Sequence, residues 1–321
     1  MTSAKQWPAL TLAAGPVEVS PRVLREQSRP ILYHYDPAFI ELFGQVCHLV
    51  QRAFRTKYDV VLMQGEAILA LEAAAASLFE PGDKVLNLVS GIFGKGYAHF
   101  ITKYGAEPVE LAVPYNEAID PGQVEAALEA QPDIKYLSVV HSETPSATVN
   151  PIEAIGRIAK AHGVLTIVDT VSGLGSELLS PEGWNMDVAI AGPQKCLGGP
   201  PGLSLVTVSP AAWEAMERHR PPLRGSFLSL LDWRDSWLTK KTFPYTPSVS
   251  TVYGLEAALL AMLEEGVERY VERHQSIARA CRRGVEALGL KLWAAREAIA
   301  GAAVTGVAMP DGVNDKVLRG H

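Results

Sequence analysis

A carboxylate and an amine stand at matching places in two apolar runs of this chain. Asp169 directly follows Leu165-Thr166-Ile167-Val168, and Lys195 follows Val188-Ala189-Ile190-Ala191 after the turn Gly192-Pro193-Gln194. Short apolar, β-branched runs that break into Gly-rich turns read as buried parallel strands. Both side chains then project from the carboxyl edge of one sheet, which is where open α/β sheets bind ligands.

That pairing suits a pyridoxal aldehyde. Such a group needs a lysine for a Schiff base, and an acid beside the ring nitrogen to keep it protonated while the ring takes up electrons. Strand and turn pattern alone leaves a second reading open, in which Asp169 caps a helix and Lys195 is a solvated loop lysine.

The elements that must position these residues follow from periodicity and punctuation. Leu10–Ala14 enters the domain before a turn at Gly15 and Pro16, and a helix spans about Ala38 to Arg55. A strand Val60–Met63 passes through Gly65 and Glu66 into a helix ending near Phe79. Val85–Val89 is a buried strand followed by a Gly-punctuated loop carrying Phe93. Asp120-Pro121 opens a capped helix. Tyr136–Val140 is another buried strand, opening into His141-Ser142-Glu143-Thr144. Leu255–Leu290 is helical and divided near Gly266, Lys291–Ala294 and Val304–Met309 are strand-like, and DGVNDKVL starts a helix.

Bulk properties narrow the function classes. At 321 residues with 48% hydrophobic and 20% charged residues, the chain can bury one large core and a smaller one. A formal charge of −6 gives no basic excess for nucleic acid or an anionic membrane surface. Three scattered cysteines without a CxxC pair suggest neither disulfides nor a zinc cluster, and no GxGxxG opens a βαβ unit. The expectation is a cytoplasmic enzyme with no targeting segment, no membrane span and no metal.

HSETPSATVNP, IVDTVSGLG and AGPQKCLGGPPGL resemble, in order and spacing, the signatures of the class V, fold-type-I aminotransferases. The resemblance runs from LAAGPVEVSP to the end of the chain. It implies an α/β fold: a mainly parallel sheet with helices on both faces, and a smaller α+β C-terminal domain that is incomplete relative to the family. The divisions it suggests are an N-terminal segment 1–20, a pyridoxal-binding domain 21–255 and a small domain 256–321. It further implies that Lys195 and Asp169 are catalytic, that Thr144 bonds the ring's phenolic oxygen, that Val171 packs one ring face and that Phe93 approaches the ring. Gln194 is expected in ring or interface hydrogen bonding. His141 reads equally as a stacking residue and as a structural histidine. At least a homodimer is expected, with a homotetramer open, because the family completes each site with the neighbour's loop, here Phe243 to Thr246.

Two departures bear on the ligand. Most relatives hold the phosphate of pyridoxal phosphate with small hydroxyl and amide groups where this chain has Glu66. A carboxylate about 4 Å from a phosphate oxygen is repelled by roughly 4 kcal/mol per unit charge at an effective dielectric of 20. A helix N-terminus returns only about 1–2 kcal/mol. Phe243 stands where relatives use a phosphate-binding tyrosine, although Thr246 remains. Both changes favour free pyridoxal or pyridoxamine, held through Lys195 as a substrate, over resident pyridoxal phosphate. The implied activity is transfer of the amino group of free pyridoxamine to pyruvate, giving pyridoxal and L-alanine, a step of vitamin degradation. The alternatives are a pyridoxal-phosphate-dependent alanine– or serine–glyoxylate aminotransferase, and a non-catalytic pyridoxal-binding protein. The arginine that grips the substrate carboxylate in the family has no match up to His321, which leaves the keto acid unassigned; the expectation is that the natural chain continues past this point, the alternatives being an impaired enzyme or another arginine such as Arg22 or Arg224 in its place.

Overall fold

A computed structural model describes residues 11–318, so the chain's expected entry at Leu10 lies outside the described residues. In chain order the elements are α1 (Pro21–Gln27), α2 (Pro37–Phe54), β1 (Asp59–Gln64), α3 (Ala67–Leu78), β2 (Lys84–Val89), α4 (Ile92–Lys103), β3 (Glu107–Ala112) and α5 (Pro121–Ala130). They continue with β4 (Ile134–Val140), a two-rung hairpin of β5 (Ser142–Glu143) and β6 (Thr148–Val149), α6 (Ile152–Ala161), β7 (Leu165–Asp169), β8 (Val188–Ala191), β9 (Leu203–Val208) and α7 (Pro210–Arg218). Last come α8 (Leu230–Trp233), which runs into a π-helical turn at Arg234–Lys240, then α9 (Val249–Glu265), α10 (Val267–Ala287) and α11 (Asp315–Leu318).

Among the described residues seven strands form one sheet in the order β1-β9-β8-β7-β4-β2-β3, in which only β9 runs against the others. Every residue of β8 and β9 is buried, because helices cover both faces; such strands need no polar alternation. Helix α3 is buried over most of its surface. Its alanines let it lie on β8 and β9 beneath α7 and α8. The carboxyl ends of β1, β4, β7 and β8 consequently share one edge, where the sequence places Glu66, Thr144, Asp169 and Lys195.

Local signals were reliable where the whole signal is local. Asp120 caps α5 by accepting from Gly122 N at 2.9 Å, with Pro121 at the first position. Gly266 takes φ 93° and divides α9 from α10. The domain boundary suggested at residue 255 falls inside α9, which is continuous.

The strands expected at Lys291–Ala294 and Val304–Met309 contract to a single bridge, Leu292 with Val307. The backbone between them bonds elsewhere: Ala295 N donates to Asn116 O and Gly301 N to Ala147 O, both at 2.9 Å. Those bonds tie the segment to the hairpin region and satisfy groups that a longer ladder would have used.

Candidate active site

Asp169 ends β7 with 9% of its surface exposed, and its Oδ1 accepts from Val171 N at 2.9 Å. Burial pushes its carboxyl up to about 7; Glu143 and Glu66 add to the rise, and the Val171 N–H and Lys195 oppose it. Lys195 leaves β8 on a tight turn, closed by Gly198 N donating to Lys195 O at 2.8 Å. Its Nζ donates to Thr144 Oγ1 at 3.1 Å and lies 5.7 Å from the centre of the Phe93 ring. Among the described residues Lys195 forms no ion pair, so its amine is held by a hydroxyl alone. Gly15 covers the lysine stem: a Cβ there would stand 2.9 Å from Lys195 Cδ.

These groups surround a cavity of about 310 Å³ whose lining includes Glu66, Phe93, Thr144, Asp169, Val171 and Lys195. Gln194 lines it as well. Seven of the nine expected site residues are therefore together. Phe243 and Thr246 are not among the lining residues. Phe243 is buried with Phe39, Phe43 and Trp237, its ring stacked 5.2 Å from that of Trp237, because a ring with no polar atom gains most in an aromatic cluster. The expectation for Phe243, like that for Thr246, concerns the site of a neighbouring copy and not the cavity of its own chain. Thr246 is exposed on the surface of this chain.

The Phe93 loop is also corrected, since Phe93 sits in the first turn of α4. Gly91, at the N-cap, offers no side-chain acceptor. Instead Glu143, fully buried, accepts from Phe93 N and Gly94 N at 3.1 Å each. Burial raises the Glu143 carboxyl, and the two N–H groups and Lys195 hold it back. A Cβ at Gly91 would lie 2.1 Å from Glu143 Cγ. Gly91→Ala is therefore expected to cost about 1–3 kcal/mol by overpacking and to displace Phe93, read as a lower melting temperature with weaker ligand binding.

Glu66 spans the turn between β1 and α3. Its Oε2 caps α3 by accepting from Ile68 N at 3.0 Å, while Oε1 accepts from Gln194 Nε2 at 2.8 Å. At the same turn Ser204 Oγ donates to the carbonyls of Gly65 and Glu66 at 2.9 and 3.0 Å. Of the donors at this turn, Ile68 N and Gln194 Nε2 are committed to the Glu66 carboxylate and Ser204 Oγ to the backbone. The ring end of the cavity does fit a pyridine ring: a buried acid and an amine, neither in an ion pair among the described residues, and an apolar wall at Val171.

Ser172, whose Oγ is 2.5 Å from Thr144 Oγ1, was not expected at the site, nor was the capping role of Glu143. His141 lies outside the cavity lining. It contacts Thr170 Oγ1 through Nδ1 at 3.2 Å, and burial pulls its imidazole down to about 4, leaving it neutral. Burial pushes the Cys196 thiol up to about 11, away from nucleophilic use. Arg22 pairs with Glu264 at 2.6 Å and Arg224 with Asp235 at 2.6 Å, so neither reaches the cavity.

A mainly parallel sheet with an acid and a lysine converging at its carboxyl edge is the arrangement of fold-type-I aminotransferases. The chain belongs to the class-V aminotransferases, whose family pattern matches residues 28–317. It is 48% identical to the pyridoxamine–pyruvate transaminase of Mesorhizobium japonicum over 97% of this chain and 79% of that protein. The crystal structure of pyridoxamine–pyruvate aminotransferase from Mesorhizobium loti superposes with a TM-score of 0.95 at 48% identity, covering 98% of this chain and 80% of that one. An alanine–glyoxylate aminotransferase from Nostoc sp. gives a TM-score of 0.90 at 30% identity, over 98% and 84%. This protein is an aminotransferase, of a family that depends on pyridoxal phosphate. No helix among the described residues is long and apolar enough to cross a membrane.

Proposed function

We propose that this chain transfers the amino group of free pyridoxamine to pyruvate, giving pyridoxal and L-alanine. The observation that carries the reading is Glu66, whose carboxylate lines the cavity at the turn where phosphate-using relatives supply donors. Pyruvate as acceptor is supported by the likeness to the Mesorhizobium transaminase.

When bound, the pyridine ring supplies an electron sink for the bond broken at the amino carbon. The rest is done by side chains. Lys195 Nζ anchors the vitamin and carries the proton between the two carbons that exchange it. Asp169, ionised, holds the proton on the ring nitrogen. Thr144 offers its hydroxyl to the ring's oxygen, Val171 and Phe93 shut out water, and Glu66 accepts a hydrogen bond from the hydroxymethyl group. A phosphate ester has no proton to offer there, and its charge is repelled. A second copy of the chain would bring Thr246 to this site, and we include a homodimer in the proposal.

Purified protein given pyridoxamine and pyruvate should release pyridoxal. Turnover only with pyridoxamine phosphate would overturn the reading. Glu66→Ser is expected to lower kcat/KM for pyridoxamine by about 10–100-fold, the loss of one hydrogen bond to a charged acceptor, and to narrow the discrimination against the phosphate ester.

A further inference from the structure

We propose that Gln194 is the positioning residue that fixes Glu66 as a pure hydrogen-bond acceptor. The site thereby selects a ring substituent that donates, such as a hydroxymethyl group, over one that only accepts. This rests on the proposed use of the free vitamin and assigns its selectivity to a pair of residues instead of one.

Three observations carry it. Gln194 is 3% exposed, and its Nε2 donates to Glu66 Oε1 at 2.8 Å. Among the described residues its own Oε1 is buried with no partner. Leaving a buried carbonyl unpaired is costly, so a side chain serving only stability would be expected to have both ends satisfied. Turning the amide over would not help, because its oxygen would then face the carboxylate oxygen-to-oxygen. The side-chain amide lies close over Gly192, where a Cβ would stand 2.3 Å from Gln194 Oε1, and the residue's backbone is tied separately by Val17 N donating to its main-chain O at 2.9 Å.

Glu66 consequently receives one protein donor on each oxygen, Gln194 Nε2 on Oε1 and Ile68 N on Oε2. A carboxylate oxygen has two lone pairs, so each keeps one to offer a ligand. Because Gln194 directly precedes Lys195, the same loop sets both the anchoring amine and the selecting carboxylate.

The test is a double-mutant cycle of wild type, Gln194→Met, Glu66→Gln and the double variant. The readout is the dissociation constant of pyridoxal and of pyridoxal phosphate, from the absorbance change on attachment to Lys195. Gln194→Met should weaken pyridoxal about tenfold when Glu66 is present and no more than about twofold in the Glu66→Gln background. It should also narrow the preference for pyridoxal over the phosphate. Equal factors in the two backgrounds, or a lower melting temperature with pyridoxal affinity unchanged, would overturn the proposal. If Gln194→Met does not fold, Gln194→Glu preserves the volume and should weaken pyridoxal at least as much; unchanged affinity in that variant would overturn it too. Coupling without any turnover of pyridoxamine and pyruvate by the wild type would sink the proposed function and leave the Gln194 assignment standing.

Discussion

Lys195→Ala is expected to lower kcat by at least about 10⁴-fold, because one side chain both anchors the vitamin and shuttles its proton. A positioned acid–base group alone contributes about 10²–10⁴-fold, and loss of the covalent anchor adds to that. Lys195 Nζ is held by the Thr144 hydroxyl and faces the Phe93 ring. Its stem packs against Gly15, so the shorter side chain leaves a small void without removing an ion pair. The variant should fold, and it should bind pyridoxamine without releasing pyridoxal. Single-turnover absorbance with pyridoxamine and pyruvate checks this; a loss confined to KM would remove Lys195 from the chemistry.

Asp169→Asn is the second large effect, an expected loss of about 10²–10³-fold in kcat/KM. The buried carboxylate is proposed to pair with the protonated ring nitrogen, and breaking a buried pair by removing one partner costs about 3–5 kcal/mol. The pH dependence has a defined sign. Burial holds the Asp169 carboxyl near 7 in the unliganded protein, so it carries a proton below that pH and is ionised above it. Affinity for a ring cation should therefore rise with pH toward 7, by up to about tenfold per pH unit, and level off above. Asparagine should flatten that limb. Stability runs the other way. The folded state binds this proton more tightly than the unfolded chain, whose carboxyl has the ordinary value of 3.8, so stability falls as pH rises between about 4 and about 7. Asp169→Asn should consequently melt higher than wild type above pH 7 and match it below pH 4. Parallel melts at the two pH values check the sign.

How much of this was legible in sequence depended on where the partner of each residue lies. Asp169 and Lys195 were placed correctly because a strand run, a turn and a reactive residue are contiguous signals. Glu66 was legible for the same reason, at a strand-to-helix turn. The helix that carries Phe93 was not, since its cap is Glu143, 50 positions along the chain, and Gly91 at its start looks like a loop residue. Likewise the bond from Gln194 to Glu66 joins residues 128 apart, so only the fold reveals that one constrains the other. Phe243 was read for what it lacks, a phenolic oxygen; its preference for an aromatic cluster depended on Phe43 and Trp237, which come from two other elements. The strands near Leu292 and Val307 failed because the intervening backbone found better partners at Asn116 and Ala147.

The use of free vitamin is tested most directly by competition for Lys195. Protein stripped of ligand would be mixed with equal pyridoxal and pyridoxal phosphate, reduced with borohydride and weighed intact. We expect one adduct per chain, with the mass of reduced pyridoxal and mapped to Lys195. Predominance of the phosphorylated adduct would contradict the role proposed for Glu66 and return the chain to the phosphate-dependent majority of its family.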